Sequence, residues 1–246
     1  VKIWDVEKEE AKITLPAFPQ LVSDMRWNQN GSLLGTTCKD KHARVFDVRT
    51  GEVTAEWEPH EGGKIVNSCW ITTKGEYLTA GFTRQSHREL KFWDLRKTDE
   101  PVHSTRLDQS AGVLMPFFDA DTSILYVAGR GDANVRYFEY TDEAPFIHPI
   151  DEYRSAESAK GACMLPKRSV DVSRCEVARI LKLTNAKQVM GLSFIVPRKS
   201  EMYQEDLYPD CLSAVPAQTA DAWFGGATVE PKRMSMDPEK TGGATA

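Results

Sequence analysis

Five basic side chains, Lys39, Lys41, Arg84, Arg88 and Arg130, stand in three short polar segments between runs of apolar and β-branched residues. Cations gathered in turns do non-covalent chemistry: their local field attracts and orients an acidic surface, even on a chain whose net charge is −5. The acids are arranged for something else. Asp5, Asp47, Asp94 and Glu139 each follow an aromatic residue, Trp4, Phe46, Trp93 and Phe138. A catalytic pair needs two carboxylates converging on one substrate atom, whereas four acids in one repeated context predict four structural hydrogen bonds to turn backbone or to a neighbouring basic side chain. His60, followed by Glu61-Gly62, is expected to bond inward in the same structural way. The five cysteines, Cys38, Cys69, Cys163, Cys175 and Cys211, are odd in number, scattered and without a CxxC pair. They predict a reduced, cytosolic setting with neither a disulfide framework nor a metal site. Gly-x-Ser-x-Gly, P-loop, Gly-x-Gly-x-x-Gly and His-Glu-x-x-His motifs are absent. No catalytic, cofactor-binding or metal-ligating residue is expected, and the chain reads as a non-enzyme.

The elements that carry these residues repeat. Val1-Lys2-Ile3-Trp4-Asp5-Val6, Ala43-Arg44-Val45-Phe46-Asp47-Val48, Leu90-Lys91-Phe92-Trp93-Asp94-Leu95 and Val135-Arg136-Tyr137-Phe138-Glu139-Tyr140 are versions of one hexapeptide. They begin at residues 1, 43, 90 and 135, the roughly 40–45-residue period of a four-stranded propeller blade that ends in a Trp-Asp signature. Ahead of the second signature lie an apolar run at 22–27, a turn at Asn28-Gln29-Asn30-Gly31, a run at 32–37 and a hairpin at Lys39-Asp40-Lys41. A more polar strand follows at 53–57, as an outer edge requires. The third repeat runs through 65–71, a turn at Lys74-Gly75, 77–82, a hairpin at 84–87 and 102–107. The fourth runs through 113–118, 124–128 and a hairpin at Arg130-Gly131-Asp132. Beyond Tyr140 the signature lapses, yet 176–183 and 189–196 still read as strands.

The fold class is therefore all-β: a WD40-type β-propeller, incomplete, with about four to five blades, each a four-stranded antiparallel sheet. Residues 1–196 form the propeller, divided into 1–15 (the end of one blade), 20–57, 62–107, 110–155 and a divergent last blade at 159–196. Residues 197–224 are an acidic and aromatic extension packed on it. Residues 225–246, Gly, Pro, Lys, Met and Thr without periodicity, are expected to be disordered. Because Val1 already lies inside a repeat, the chain reads as a piece of a longer protein.

In a blade, the second-to-third-strand hairpins and the loops entering the first strand share one rim. That rim receives Lys39, Lys41, His42, Lys64, Arg84, His87, Arg88, Arg130 and Lys160 against Asp40, Glu61 and Asp132. The opposite rim receives Glu7, Glu9, Glu10, Asp99, Glu100, Asp119 and Asp121, with Lys8, Arg49, Lys74 and Lys97. One rim is basic by this count, and the plain alternative is that its turns are merely solvated. With 31 basic and 36 acidic residues, no whole-molecule attraction to nucleic acid or anionic membrane is expected. No apolar run approaches the roughly 18 residues of a membrane span, so no transmembrane segment is expected.

The segments 110–119, 124–139, Met164-Leu165-Pro166-Lys167-Arg168, Cys175-Glu176-Val177-Ala178-Arg179 and 196–209, which closes on Leu207-Tyr208-Pro209, resemble the coronins over residues 1–224. The resemblance implies a seven-bladed propeller and a cytoplasmic protein of the actin cytoskeleton and cell cortex. It also implies F-actin as partner, with other cytoskeletal proteins beside it. A C-terminal coiled coil for oligomerisation is implied too, but no heptad with apolar a and d positions appears before Ala246, so coiled-coil oligomerisation is not encoded here. Against that background Lys39, Lys41, Arg84, Arg88 and Arg130 become candidate actin-binding residues. The alternative from another class is a generic WD-repeat scaffold for a signalling or trafficking complex with no actin affinity.

Overall fold

The computed structural model describes residues 1–71, 76–199 and 202–241. The expected turn at Lys74-Gly75, the rim residue Lys74, the extension residues Ser200 and Glu201 and the last five residues of the tail lie outside the described residues. Two compact units divide the chain: Val1–Pro116 with Ala217–Glu230, and Phe117–Pro216 with Pro231–Ala246.

The first unit opens with an antiparallel pair, β1 (Lys2–Asp5) and β2 (Glu10–Thr14). Two four-stranded meanders follow. One joins β3 (Val22–Trp27), β4 (Leu33–Cys38), β5 (Ala43–Asp47) and β6 (Glu52–Trp57) in sequence order. The other joins β7 (Asn67–Trp70), β8 (Glu76–Phe82), β9 (Arg88–Asp94) and β10 (His103–Asp108). The middle strands are buried on both faces while β6 stays largely exposed, which is why β4 and β8 read as continuous apolar or small runs and β6 as a polar one.

The sheets of this unit pack through large side chains. Ala43, Val45 and Trp57 meet Tyr77 and Trp93 of the next sheet in one buried cluster, with the Trp57 and Trp93 rings 5.6 Å apart. The fully buried Tyr77 passes so close to Gly35 that a Cβ there would lie 2.3 Å from the phenol oxygen, so only glycine lets the ring through. Between the first strands of the two sheets the seam is polar but paired. Asp24 accepts from the Ser68 backbone N–H at 2.8 Å and from its hydroxyl at 3.0 Å, and the Trp70 indole donates to the Arg26 carbonyl at 2.8 Å.

Phe46, Trp93 and Phe138 are buried as expected of signature aromatics, but Trp4 is 55% exposed. The reason lies in what covers the others. Phe46 belongs to a cluster with Leu15, Ile3 and Ile13 of the preceding strand pair, and Trp93 packs on the sheet before it. Trp4 belongs to neither of these clusters.

In the second unit a four-stranded meander joins β11 (Leu114–Asp119), which begins just ahead of the unit boundary, to β12 (Ile124–Gly129), β13 (Val135–Tyr140) and β14 (Ile147–Tyr153). A three-stranded sheet follows: β15 (Ala159–Met164), β16 (Glu176–Thr184) and β17 (Val189–Ile195). Phe194 of β17 sits among Tyr126, Tyr137 and Tyr153, with ring centroids 4.8, 5.4 and 6.0 Å away.

Small elements form in the 197–224 extension, and the described part of the 225–246 tail, expected to be disordered, pairs with one of them. The two-residue strands β18 (Cys211–Leu212) and β19 (Arg233–Met234) pair antiparallel. Met236 is buried among Val170, Val172, Tyr208 and Cys211. A short helix, α1 (Ala220–Phe224), is capped by the Thr219 hydroxyl, which accepts from the Ala222 N–H. A second short helix, α2 (Pro238–Thr241), follows, and the apolar Met236 is held by docking onto a surface that is already folded.

Candidate docking surface

The hairpin between β4 and β5 is closed by backbone bonds from Cys38 N–H to the His42 carbonyl (3.0 Å) and from Lys41 N–H to the Cys38 carbonyl (3.1 Å), with Lys41 at φ 72°. Lys39 N–H donates to the Leu21 carbonyl at 2.9 Å, which ties the turn to the loop that enters β3. Asp40, the one acid of the hairpin, is turned inward. Its carboxylate accepts from the His42 N–H at 3.1 Å and from the Arg44 guanidinium at 2.7 Å, and Arg44 also pairs with Glu56 at 2.8 Å. Burial pushes the Asp40 carboxyl up, but the hydrogen bonds from Arg44 and His42 outweigh it and hold the group below the usual carboxylate range. The anion is thereby consumed inside the blade while Lys39 and Lys41 stay exposed. Lys41 meets the exposed Glu58 at 4.0 Å, a contact too open to cancel its charge.

Lys64, in the loop ahead of β7, joins this pair. Its ammonium lies 4.3 Å above the Phe82 ring and donates to the Ala111 carbonyl at 3.3 Å. Lys39, Lys41 and Lys64 line one small pocket together with His60, Gly62 and Gly63. The hairpin between β8 and β9 repeats the first one: Thr83 N–H bonds the His87 carbonyl and Ser86 N–H the Thr83 carbonyl, both at 2.9 Å, with Ser86 at φ 64° and Arg84 exposed. In the second unit Gly131 takes the left-handed position of the corresponding turn at φ 88°, leaving Arg130 exposed.

Arg88 does not belong with these cations. It is 2% exposed and forms a two-pronged pair with Asp108, 2.6 Å on each prong. It is the first residue of β9, a strand buried on both faces, so its side chain enters the sheet packing and cannot reach the rim. Two acids expected on the opposite rim are withdrawn in the same way. Asp119 is buried against Lys167 at 2.6 Å, and Asp121 pairs with Arg233 at 2.7 Å. Glu7, Glu9, Glu10, Asp99 and Glu100 remain exposed. Lys8 pairs with Asp5 and Asp221, while Arg49 donates to the Ala227 carbonyl (2.9 Å) and the Thr228 hydroxyl (2.7 Å) and lies over the Trp223 ring. Residues 217–230 thus lie along the turns that follow β1 and β5.

The signature acids act on those turns. Asp5 accepts from Lys8 N–H, Asp47 from Arg49 N–H and Asp94 from Arg96 N–H, at 3.1, 3.0 and 2.9 Å. Hydrogen bonds from the Arg96 side chain and backbone hold the Asp94 carboxyl down to about 2. Glu139 is exposed. His60 bonds inward: one ring nitrogen lies 2.8 Å from Glu89, the other 2.9 Å from the Thr79 hydroxyl, which also accepts from the Trp93 indole at 2.8 Å. Burial pushes the His60 pKa down against the pull of Glu89, so the ring is neutral. The chain Trp93→Thr79→His60→Glu89 then satisfies every member, each donating to the next. Thr79 and Glu89 carried no signal in the sequence, being separated from His60 by a strand or more. Among the described residues no group of His, Cys, Asp and Glu side chains could hold a metal ion, and no helix is long and apolar enough to cross a membrane.

Comparison with known proteins agrees with this architecture. A family model for a type of WD40 repeat matches residues 189–231, a span that includes β17, β18 and α1. Coronin-A of Dictyostelium discoideum is 46% identical over 223 residues, 91% of this chain and 49% of that protein. The chain therefore spans about half the length of the curated relative it matches. The crystal structure of the WD40 domain of Toxoplasma gondii coronin superposes with a TM-score of 0.89 at 36% identity, covering 95% of this chain and 60% of that one. With the repeated signature, the four-stranded antiparallel blades and these two relatives in agreement, the chain belongs to the coronin family, and its blades are those of a WD40-type β-propeller.

Proposed function

We propose that this coronin-type chain is an actin-filament-binding regulator of the cytoplasmic actin cytoskeleton and cell cortex, acting by non-covalent docking and without catalysis. Exposed hairpin cations of the first unit, Lys39, Lys41 and Arg84, make the contact, and Arg130 is a separate candidate on the second. The observation that carries this reading is the asymmetry of the β4–β5 hairpin, where Arg44 draws the only acid inward and leaves two lysines facing solvent. Family membership supports the choice of an actin filament as the acidic partner, with other cytoskeletal proteins able to share the surface. The test is co-sedimentation of the protein, at its natural full length, with actin filaments across a salt series. Saturable pelleting that weakens steadily between about 0.05 and 0.3 M salt is expected, because exposed charges are screened over that range. Absence of pelleting at low salt would leave a generic WD-repeat scaffold as the better reading.

A further inference from the structure

The pocket between Lys39, Lys41 and Lys64 has features that a flat charged surface does not need. The three lysines are pre-placed. Lys39 and Lys41 ride on a hairpin closed by two backbone bonds and tied to the loop before β3 by a third, and Lys64 is held over Phe82 and by the Ala111 carbonyl. The backbone positions of Lys39 and Lys41 and the ammonium of Lys64 are thus set before an anion arrives. The nearby buried acids are already committed, Asp40 to Arg44 and Glu89 to His60 and Lys91. The His60 ring at the pocket wall has both nitrogens occupied, so it offers neither a metal ligand nor a competing donor. Two exposed apolar residues neighbour the cations: Ile65, 45% exposed, lines the pocket, and Leu21, 71% exposed, accepts the Lys39 N–H through its backbone carbonyl.

We propose that this pocket binds an extended peptide segment, with one anionic side chain entering between the three lysines and a neighbouring apolar side chain resting on Leu21 and Ile65. The small size of the recess fits a single carboxylate or phosphate head. The apolar pair outside it would be idle for a free inorganic anion and is used by a peptide. This goes beyond filament docking, since such a segment would bind while free in solution.

The experiment is fluorescence anisotropy on the full-length protein with three fluorescein-labelled octapeptides: Gly-Ser-Leu-Asp-Glu-Leu-Ser-Gly, the same peptide with phosphoserine in place of Asp, and a neutral version with Asn and Gln in place of Asp and Glu. Saturable binding of either anionic peptide is expected, with the neutral one at least tenfold weaker. Affinity should fall at least tenfold in the triple variant Lys39→Gln, Lys41→Gln, Lys64→Gln and separately in Leu21→Ser, Ile65→Ser, with Lys64→Gln alone as the mildest probe. The aspartate and phosphoserine arms tell a carboxylate site from a phosphate site, and either result supports the proposal. It is overturned if neither anionic peptide saturates, if the neutral peptide binds equally, or if the triple variant binds as the wild type does. It is also overturned if phosphatidylcholine vesicles containing phosphatidylinositol 4,5-bisphosphate bind where both peptides fail.

Discussion

Reversing Lys39, Lys41, Arg84 and Arg130 to Glu together is expected to weaken filament binding by about 2–4 kcal/mol and to flatten its salt dependence. Each exposed pair across an interface is worth at most about 1 kcal/mol and acts largely through the rate of encounter. Single reversals will therefore be hard to detect while four together cost a thirtyfold to several-hundredfold loss. Arg88 is left out of the set for a structural reason: it is buried and paired with Asp108, so reversing it would strand a charge inside the sheet and report on folding instead. The control is reversal of the exposed Glu7, Glu9, Glu10 and Glu100 to Lys, which should leave binding unchanged. Equal affinity for both quadruple variants and the wild type, with circular dichroism showing all three folded, would reduce the hairpin cations to a solvated surface.

Thr79→Val should destabilise the first unit by about 2–4 kcal/mol. The substitution keeps the volume and removes one hydroxyl, but that hydroxyl links two buried groups. Its loss leaves the Trp93 indole N–H without an acceptor and the His60 ring nitrogen without a donor, at roughly 1–3 kcal/mol for each buried group left unmet. Thr36→Val is the matched comparison. Thr36 is equally buried, but its hydroxyl serves only the Arg44 carbonyl at 3.2 Å, so about 1 kcal/mol is expected there. Thermal melts of the two variants order them: a fall in Tm for Thr79→Val no larger than for Thr36→Val would mean that the Trp93–Thr79–His60–Glu89 chain carries no special weight.

What could be read from the residues alone was whatever repeats or is local. The signature hexapeptides mark β5, β9 and β13, and the hairpin at Lys39-Asp40-Lys41 falls where it should, because alternation and turn residues act over a few positions. β15 was harder to see. Its Ala159-Lys160-Gly161-Ala162-Cys163-Met164 has little strand propensity and is ordered by pairing with β16. Arg88 looked like one more hairpin cation because its partner, Asp108, lies at the far end of β10 and nothing near Arg88 announces it. Trp4 went the other way: the β1–β2 register shifts between Ile3 and Trp4, and the burial of a signature aromatic depends on packing that the hexapeptide cannot encode. The ordered tail is a third case, since Met236 is fixed by Val170, Tyr208 and Cys211, all distant in sequence. The candidate site shows the same division. Lys39 and Lys41 were visible as charges in a turn, whereas the inward rotation of Asp40 that frees them depends on Arg44, across the hairpin on β5.

The central claim is that exposed hairpin lysines touch the filament, and lysine labelling tests it without any substitution. Reductive methylation of the full-length protein, read by mass spectrometry with and without saturating actin filaments, should show Lys39 and Lys41 protected on the filament. Lys97, exposed beside Glu100 after β9, should keep its free rate. Protection of Lys97 with unchanged labelling of Lys39 and Lys41 would place the contact elsewhere and contradict the account.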